Sequence, residues 1–152
     1  MVDISIKELD YESIPYNLLL LADDSKDAIE DYISRGRCYG AYINQNIVGI
    51  YVLLKTRSFT IEIVNIAVKK EYQNQGIGKK MVLDAINRAK LENFKVLEVG
   101  TGNCGICQLA LYQKCGFRIT HVDRDFFNKH YEEKIIENGI ECVDMIRLSI
   151  DL

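Results

Sequence analysis

The sequence predicts a single α/β domain over residues 1–152, built on one mixed sheet of about six or seven strands with helices on both faces. Three stretches carry that expectation. In the first, the β-branched residues Val64, Ile66 and Val68 run into a polar loop, Gln73-Asn74-Gln75-Gly76-Ile77-Gly78, which opens a helix. Apolar residues Ile77, Met81, Val82, Ala85, Ile86 and Ala89 recur along that helix at spacings of three and four, so they share one face. In the second, Tyr39 to Ile43 and Ile47 to Lys55 flank Asn44-Gln45-Asn46, a hairpin signal because asparagine tolerates left-handed turn conformations. In the third, Lys95 to Val99 follows the helix as a strand, and strand, helix and strand at this spacing make a right-handed crossover between parallel neighbours.

The other elements fall around these. Ile4 to Leu9 alternates as a half-buried first strand does. Pro15 to Ala22 and Lys26 to Ser34 read as helices, the second opened by Ser25 with acids in its first turn and closed near Gly36. Thr60 to Val68 continues the hairpin as an antiparallel strand. Cys107 to Lys114 reads as a short helix capped by Gly116. Phe117 to Val122 and Cys142 to Ile150 complete the sheet, with an irregular or helical stretch near Tyr131 to Asn138. No repeat, low-complexity segment or linker interrupts the chain.

Composition narrows the function classes. A chain of 152 residues that is 48% hydrophobic can bury one substantial core. The net charge of -3 and pI near 5.4, with no basic run, argue against a nucleic-acid surface and slightly favour a cationic substrate. The first ten residues lack a charged leader with an apolar segment, and Leu18 to Ala22 is too short to span a bilayer, so a cytoplasmic protein without membrane contact is expected. The 5 cysteines cannot all pair, and Cys38, Cys107, Cys115 and Cys142 adjoin apolar segments, so buried reduced thiols are expected. Cys104 and Cys107 have redox or metal spacing. No second pair accompanies them and His121 and His130 are not at zinc spacing, so no metal is expected.

The loop before the long helix is an anion site. Gly76 and Gly78 carry no side chain where the first-turn amides lack intrahelical acceptors, and the helix dipole with Lys79 and Lys80 favours a phosphate there. Downstream stands Leu111-Tyr112-Gln113-Lys114-Cys115-Gly116-Phe117. With Gln73, Gly76 and Gly78 meeting Q/R-x-x-G-x-G/A, and Leu111, Tyr112, Lys114, Gly116 and Phe117 meeting L-Y-x-K-x-G-F, the chain resembles the GNAT superfamily of acetyl-CoA-dependent N-acetyltransferases over nearly its whole length.

That resemblance implies a fold whose fourth and fifth strands splay apart, with acetyl-CoA as acetyl donor and a small-molecule or peptide amine as acceptor, in a monomer or homodimer. It implies that Gln73, Asn74, Gln75, Gly76, Ile77, Gly78 and Lys79 hold the pyrophosphate. Ile66, Ala67 and Val68 bracket the pantetheine and thioester, and the Val68 amide polarises the carbonyl. It also implies that Tyr112 faces the sulfur and gives a proton to the thiolate, the plainer reading being a rim tyrosine with its ring in the core. Glu62, two pairs of residues before Ile66 and hence on its face of the strand, is the candidate base, with Glu98 as second choice; an ordinary strand carboxylate is the alternative. Asn103 is a candidate pantetheine contact although the family's asparagine position falls on Gly105; stabilising a turn is its alternative role.

Two rival readings remain. Gly100-Thr101-Gly102-Asn103-Cys104-Gly105 follows a strand as the first motif of Rossmann-type methyltransferases does, but antiparallel strands precede it and too little chain follows for a doubly wound sheet. The domain could instead bind acyl-CoA without turnover, as a sensor. The resemblance also implies that the acceptor pocket is shaped by the segments Tyr11 to Arg35 and His121 to Met145, where Asp23, Asp24, Asp27, Glu30 and Asp31 either attract a cation or form a solvated helix face.

Overall fold

The computed structural model describes residues 3–152. In chain order the elements are β1 (Ser5–Leu9), α1 (Tyr16–Ala22), α2 (Lys26–Ile33), β2 (Arg37–Ile43), β3 (Asn46–Arg57), β4 (Thr60–Val68), α3 (Ile77–Leu91), β5 (Val96–Gly102), α4 (Ile106–Lys114), β6 (Arg118–Asp123), α5 (Phe126–His130), β7 (Ile136–Glu137), β8 (Ile140–Glu141) and β9 (Met145–Asp151). A 7-stranded sheet runs β1-β2-β3-β4-β5-β9-β6, and β7 and β8 form a separate hairpin. All neighbours in the large sheet are antiparallel except β4 and β5, which the α3 crossover makes parallel.

Local chemistry explains the expected elements. Asn44 and Gln45 turn the β2–β3 hairpin with φ of 49° and 71°, the left-handed pair that a two-residue turn needs to match strand twist. The Ser25 hydroxyl accepts from Ala28 N at 3.2 Å and so caps α2. All of Ile77, Met81, Val82, Ala85, Ile86 and Ala89 are buried, packing α3 on Ile61, Ile63, Leu97 and Val99. Gly49 permits that approach: a Cβ there would stand 2.8 Å from Met81 Sδ. On the opposite face, Leu18, Leu19, Ile29 and Ile33 of α1 and α2 cover Ile50, Val52 and Leu54. Each fully buried aliphatic side chain contributes about 1.5–3 kcal/mol relative to exposure.

Two irregularities in β4 shape the site. Val52 pairs with Asn65 but Leu53 pairs with Ile63, so Val64 is an unpaired bulge residue. Before it, Ile61 and Ile63 face α3; after it, Ile66 and Val68 take that face, while Ala67 joins the α1–α2 core and Asn65 reaches Leu19 and Tyr32. The period-two expectation that Glu62 and Ile66 share a face is therefore corrected, because the extra residue reverses the alternation. The second irregularity is a splay. The β4–β5 ladder covers Thr60↔Val96 to Ile63↔Val99 and stops, while β5 continues with β9 to Gly102↔Met145.

Several expectations change at the C-terminal half. The stretch after Tyr131 is irregular, one of the two expected forms, but it is preceded by a short helix at Phe126–His130 and followed by the β7–β8 hairpin. Gly100 and Gly102 lie inside β5, where added Cβ atoms would meet Arg147 and Met145 or Cys142 and Phe127, so these glycines serve strand packing and form no phosphate loop. Cys104 and Cys142 are joined as a disulfide with Cα atoms 5.2 Å apart, and Cys107 is exposed, against the expectation of buried reduced thiols. No helix among the described residues is long and apolar enough to cross a membrane.

Candidate active site

The splay leaves backbone groups unpaired, and the register says which. Lys69 N donates to Val48 O at 2.8 Å, so bonded and non-bonded pairs alternate from there along β3 and β4. Ile50 and Ala67 exchange hydrogen bonds; Gly49 with Val68 and Tyr51 with Ile66 do not. The N–H and C=O groups of Ile66 and Val68 therefore point away from β3 into the gap that β5 has left. Gln73 Nε2 donates to Val68 O at 3.0 Å, which ties the loop to the strand end and leaves the Val68 N–H open.

At the foot of this gap α3 begins. Gly76 is its N-cap with φ of 80°, a left-handed conformation that favours glycine, and open space surrounds its Cα. No side chain caps the helix, so the first-turn amides have neither an intrahelical nor a capping acceptor. Lys79 lies beside them in a groove of about 360 Å³ that continues past Ile66 and Val68 to Tyr112. Gln75 is exposed and turned toward the Glu71 carbonyl, outside the groove wall.

Tyr112 is placed by the cap of its own helix. Gly116, with φ of 103°, donates to Gln113 O at 3.0 Å, and Phe117 N donates to Tyr112 O at 3.0 Å, the paired bonds of a Schellman termination. The Tyr112 and Phe117 rings, centroids 5.9 Å apart, supply the hydrophobic contact that accompanies it. The L-Y-x-K-x-G-F pattern is thus a helix stop that clamps the tyrosine ring. Tyr112 is 3% exposed, and burial pushes its phenol pKa well above the ordinary value, so the hydroxyl stays protonated. It stands where the groove meets a second cavity, of about 190 Å³, on the other side of the gap.

That second cavity lies between the end of α1, β5 and the segment from α5 to β9. Phe127 and Tyr131 wall it, and the Tyr131 hydroxyl donates to Asp23 Oδ1 at 2.9 Å, joining the C-terminal segment to α1. Asn65 Nδ2 donates to Leu19 O and to the Tyr32 hydroxyl, and that hydroxyl donates to Asp23 Oδ2 at 3.2 Å. Sequence reasoning missed Asn65, Phe127 and Tyr131, which follow no motif; Asp23 was visible only as one acid among several.

Not every expected residue is gathered. Asn103 is drawn away from the groove: its Oδ1 accepts from Val143 N and Asp144 N, and its Nδ2 donates to Glu141 O, so it clamps the chain before β9. Gln108, in the first turn of α4, lines both cavities instead. Glu62 is held by Arg147, and Glu98 by Arg57 at 3.5 Å. The backbone of Ala67 is turned to Ile50, away from the gap.

Comparison with known proteins matches this architecture. The Acetyltransferase (GNAT) family model matches residues 6–117. An uncharacterized N-acetyltransferase, YvbK, of Bacillus subtilis is 58% identical over 137 residues, which is 90% of this chain and 88% of that one. A solved IAA acetyltransferase from Bacillus cereus superposes with a TM-score of 0.97 at 53% identity, covering 99% of this chain and 100% of the other. A GNAT family acetyltransferase from Elizabethkingia anophelis, solved with acetyl-CoA bound, superposes with a TM-score of 0.96 at 49% identity, covering 98% of each chain.

Proposed function

This chain belongs to the GNAT family and is an acetyl-CoA-dependent N-acetyltransferase, and from that premise we propose that residues 1–152 act as one domain acetylating a primary amine by direct attack in a ternary complex. The observation that carries the reading is the gap between β4 and β5, with the Ile66 backbone and the Val68 N–H turned into it and the open amides of α3 at its foot.

The residues fit the donor substrate. Amides from Gly76 to Lys79, the Lys79 ammonium and the loop residues Gln73 and Asn74 hold the diphosphate, where backbone donors and the helix dipole act together. The pantetheine arm is a chain of amides, and Ile66 and Val68 offer it strand-like hydrogen bonds beside Ala67. The Val68 N–H polarises the thioester carbonyl as charge develops on its oxygen.

The amine approaches from the cavity beside Asp23. Its nitrogen lone pair forms the C–N bond as the C–S bond breaks, and the surplus proton passes to water or to Glu62. The departing thiolate takes a proton from Tyr112, which its raised pKa keeps in the phenol form. Holding both reactants across one gap removes the entropic cost of their encounter, worth up to about 7–11 kcal/mol of barrier.

A calorimetric titration with coenzyme A, followed by acetyl-CoA consumption over a panel of amines, tests the reading. Heat on titration and turnover on at least one primary amine support it. Binding without turnover on any amine favours a silent acyl-CoA module, and absence of heat removes the donor site altogether.

A further inference from the structure

The cavity beside Tyr112 carries more information than its position. Its ionisable side chains besides Tyr112 and Tyr131 are the carboxylates of Asp23 and Glu137, and among the described residues no lysine, arginine or histidine lines it. Asp23 accepts from Ser25 N, the Tyr32 hydroxyl and the Tyr131 hydroxyl, all neutral donors that hold the carboxylate without cancelling its charge. Glu137, exposed on β7, has no salt bridge among the described residues. Arg147, whose guanidinium lies against Gly100, is already paired with Glu62.

Two further observations point to a ligand rather than to a solvated acidic face. Asn65 is 4% exposed and lines the same cavity, and its buried Oδ1 has no hydrogen-bond partner among the described residues. The Phe127 and Tyr131 rings, centroids 5.4 Å apart, add π faces that attract ammonium groups. At about 190 Å³ the cavity is smaller than the roughly 300–1,000 Å³ of sites for drug-sized ligands.

We infer that the acceptor is a compact amine bearing a second positive charge, a diamine rather than an amino acid, held between Asp23 and Glu137. This rests on the acetyl-transfer reading. A carboxylate on the acceptor would meet two like charges with no free cation to receive it. Acetylation then converts one ammonium into a neutral amide, so the product keeps one charge fewer and loosens its hold on the cavity.

The test uses the full chain saturated with coenzyme A and titrated calorimetrically with putrescine, butylamine and γ-aminobutyrate. The expected result is a Kd for putrescine at least about tenfold below that for butylamine, equivalent to about 1.4 kcal/mol, with γ-aminobutyrate weakest. In Asp23→Asn and in Glu137→Gln the ratio of the two amine constants shrinks. Glu137 sits on an exposed two-residue strand, so its variant keeps the test alive if Asp23→Asn fails to fold. A ratio near unity, tightest binding of γ-aminobutyrate, binding of no amine, or an unchanged ratio in Glu137→Gln overturns the inference. Failure of the underlying reading is separate, since it shows as absence of heat with coenzyme A alone.

Discussion

Glu62 Oε1 lies 2.9 Å from Arg147 Nη2 in a salt bridge, and the side chains are only 16% and 21% exposed. The pair bridges β4 to β9 across β5, on the face opposite the α3 core. A carboxylate so held supports the sheet. Glu62→Gln is expected to lower stability by about 1–3 kcal/mol, because a charged partner loses its counter-ion. Serving as base predicts in addition a fall in kcat/KM of about 10²-fold or more. Urea denaturation and a pH–rate profile separate the effects. A profile identical to the parent's would assign the proton to water.

Tyr112→Phe keeps the ring that meets Phe117 and removes only the hydroxyl. The Schellman cap should survive, with stability changed by less than about 1 kcal/mol. The expected outcome is a drop in kcat of about 10²-fold with little change in the KM for acetyl-CoA, since the hydroxyl acts on the leaving thiolate. Turnover at the parent rate would falsify the proton donation.

Cys104 and Cys142 close a loop of sequence separation 38 and line the cavity beside Tyr112. Chain-entropy arguments put the stabilisation near about 4 kcal/mol for such a loop. Dithiothreitol should therefore lower the denaturation midpoint of the parent and leave Cys142→Ser unmoved. The same midpoint with and without reductant in both proteins would contradict the pairing.

Burial is the largest cause raising the pKa of Tyr32, Tyr51, Tyr112 and Tyr131, each above the ordinary phenol value of 10.0, and Asp84 and Asp23 add to it for Tyr51 and Tyr131. The buried Cys38 thiol is pushed up from 9.0 to about 12. A folded pKa above the unfolded one means that the native state retains protons the unfolded chain has lost. This stability is fully present below about pH 9 and is lost as the pH climbs through 10 toward the raised values. Thermal melts from pH 8 to 11 should show a plateau and then a steep fall. A midpoint that holds steady to pH 11 would speak against buried, neutral phenols.

By itself the sequence determined what depends on neighbours along the chain. The α3 face from Ile77 to Ala89, the left-handed Asn44-Gln45 turn, the Ser25 cap, the open helix start at Gly76 and the Tyr112-to-Phe117 helix stop are set by spacings of a few residues and by backbone preferences. Only the tertiary structure decided what depends on register between distant segments. The bulge at Val64 turns Glu62 away from the face of Ile66, and the end of the β4–β5 ladder at Ile63 opens the gap. The fold also carries Asn103 to the chain before β9, joins Cys104 to Cys142 and brings Tyr131 to Asp23. One unpaired strand residue reverses every side chain beyond it, and no local pattern in the sequence records where that residue falls.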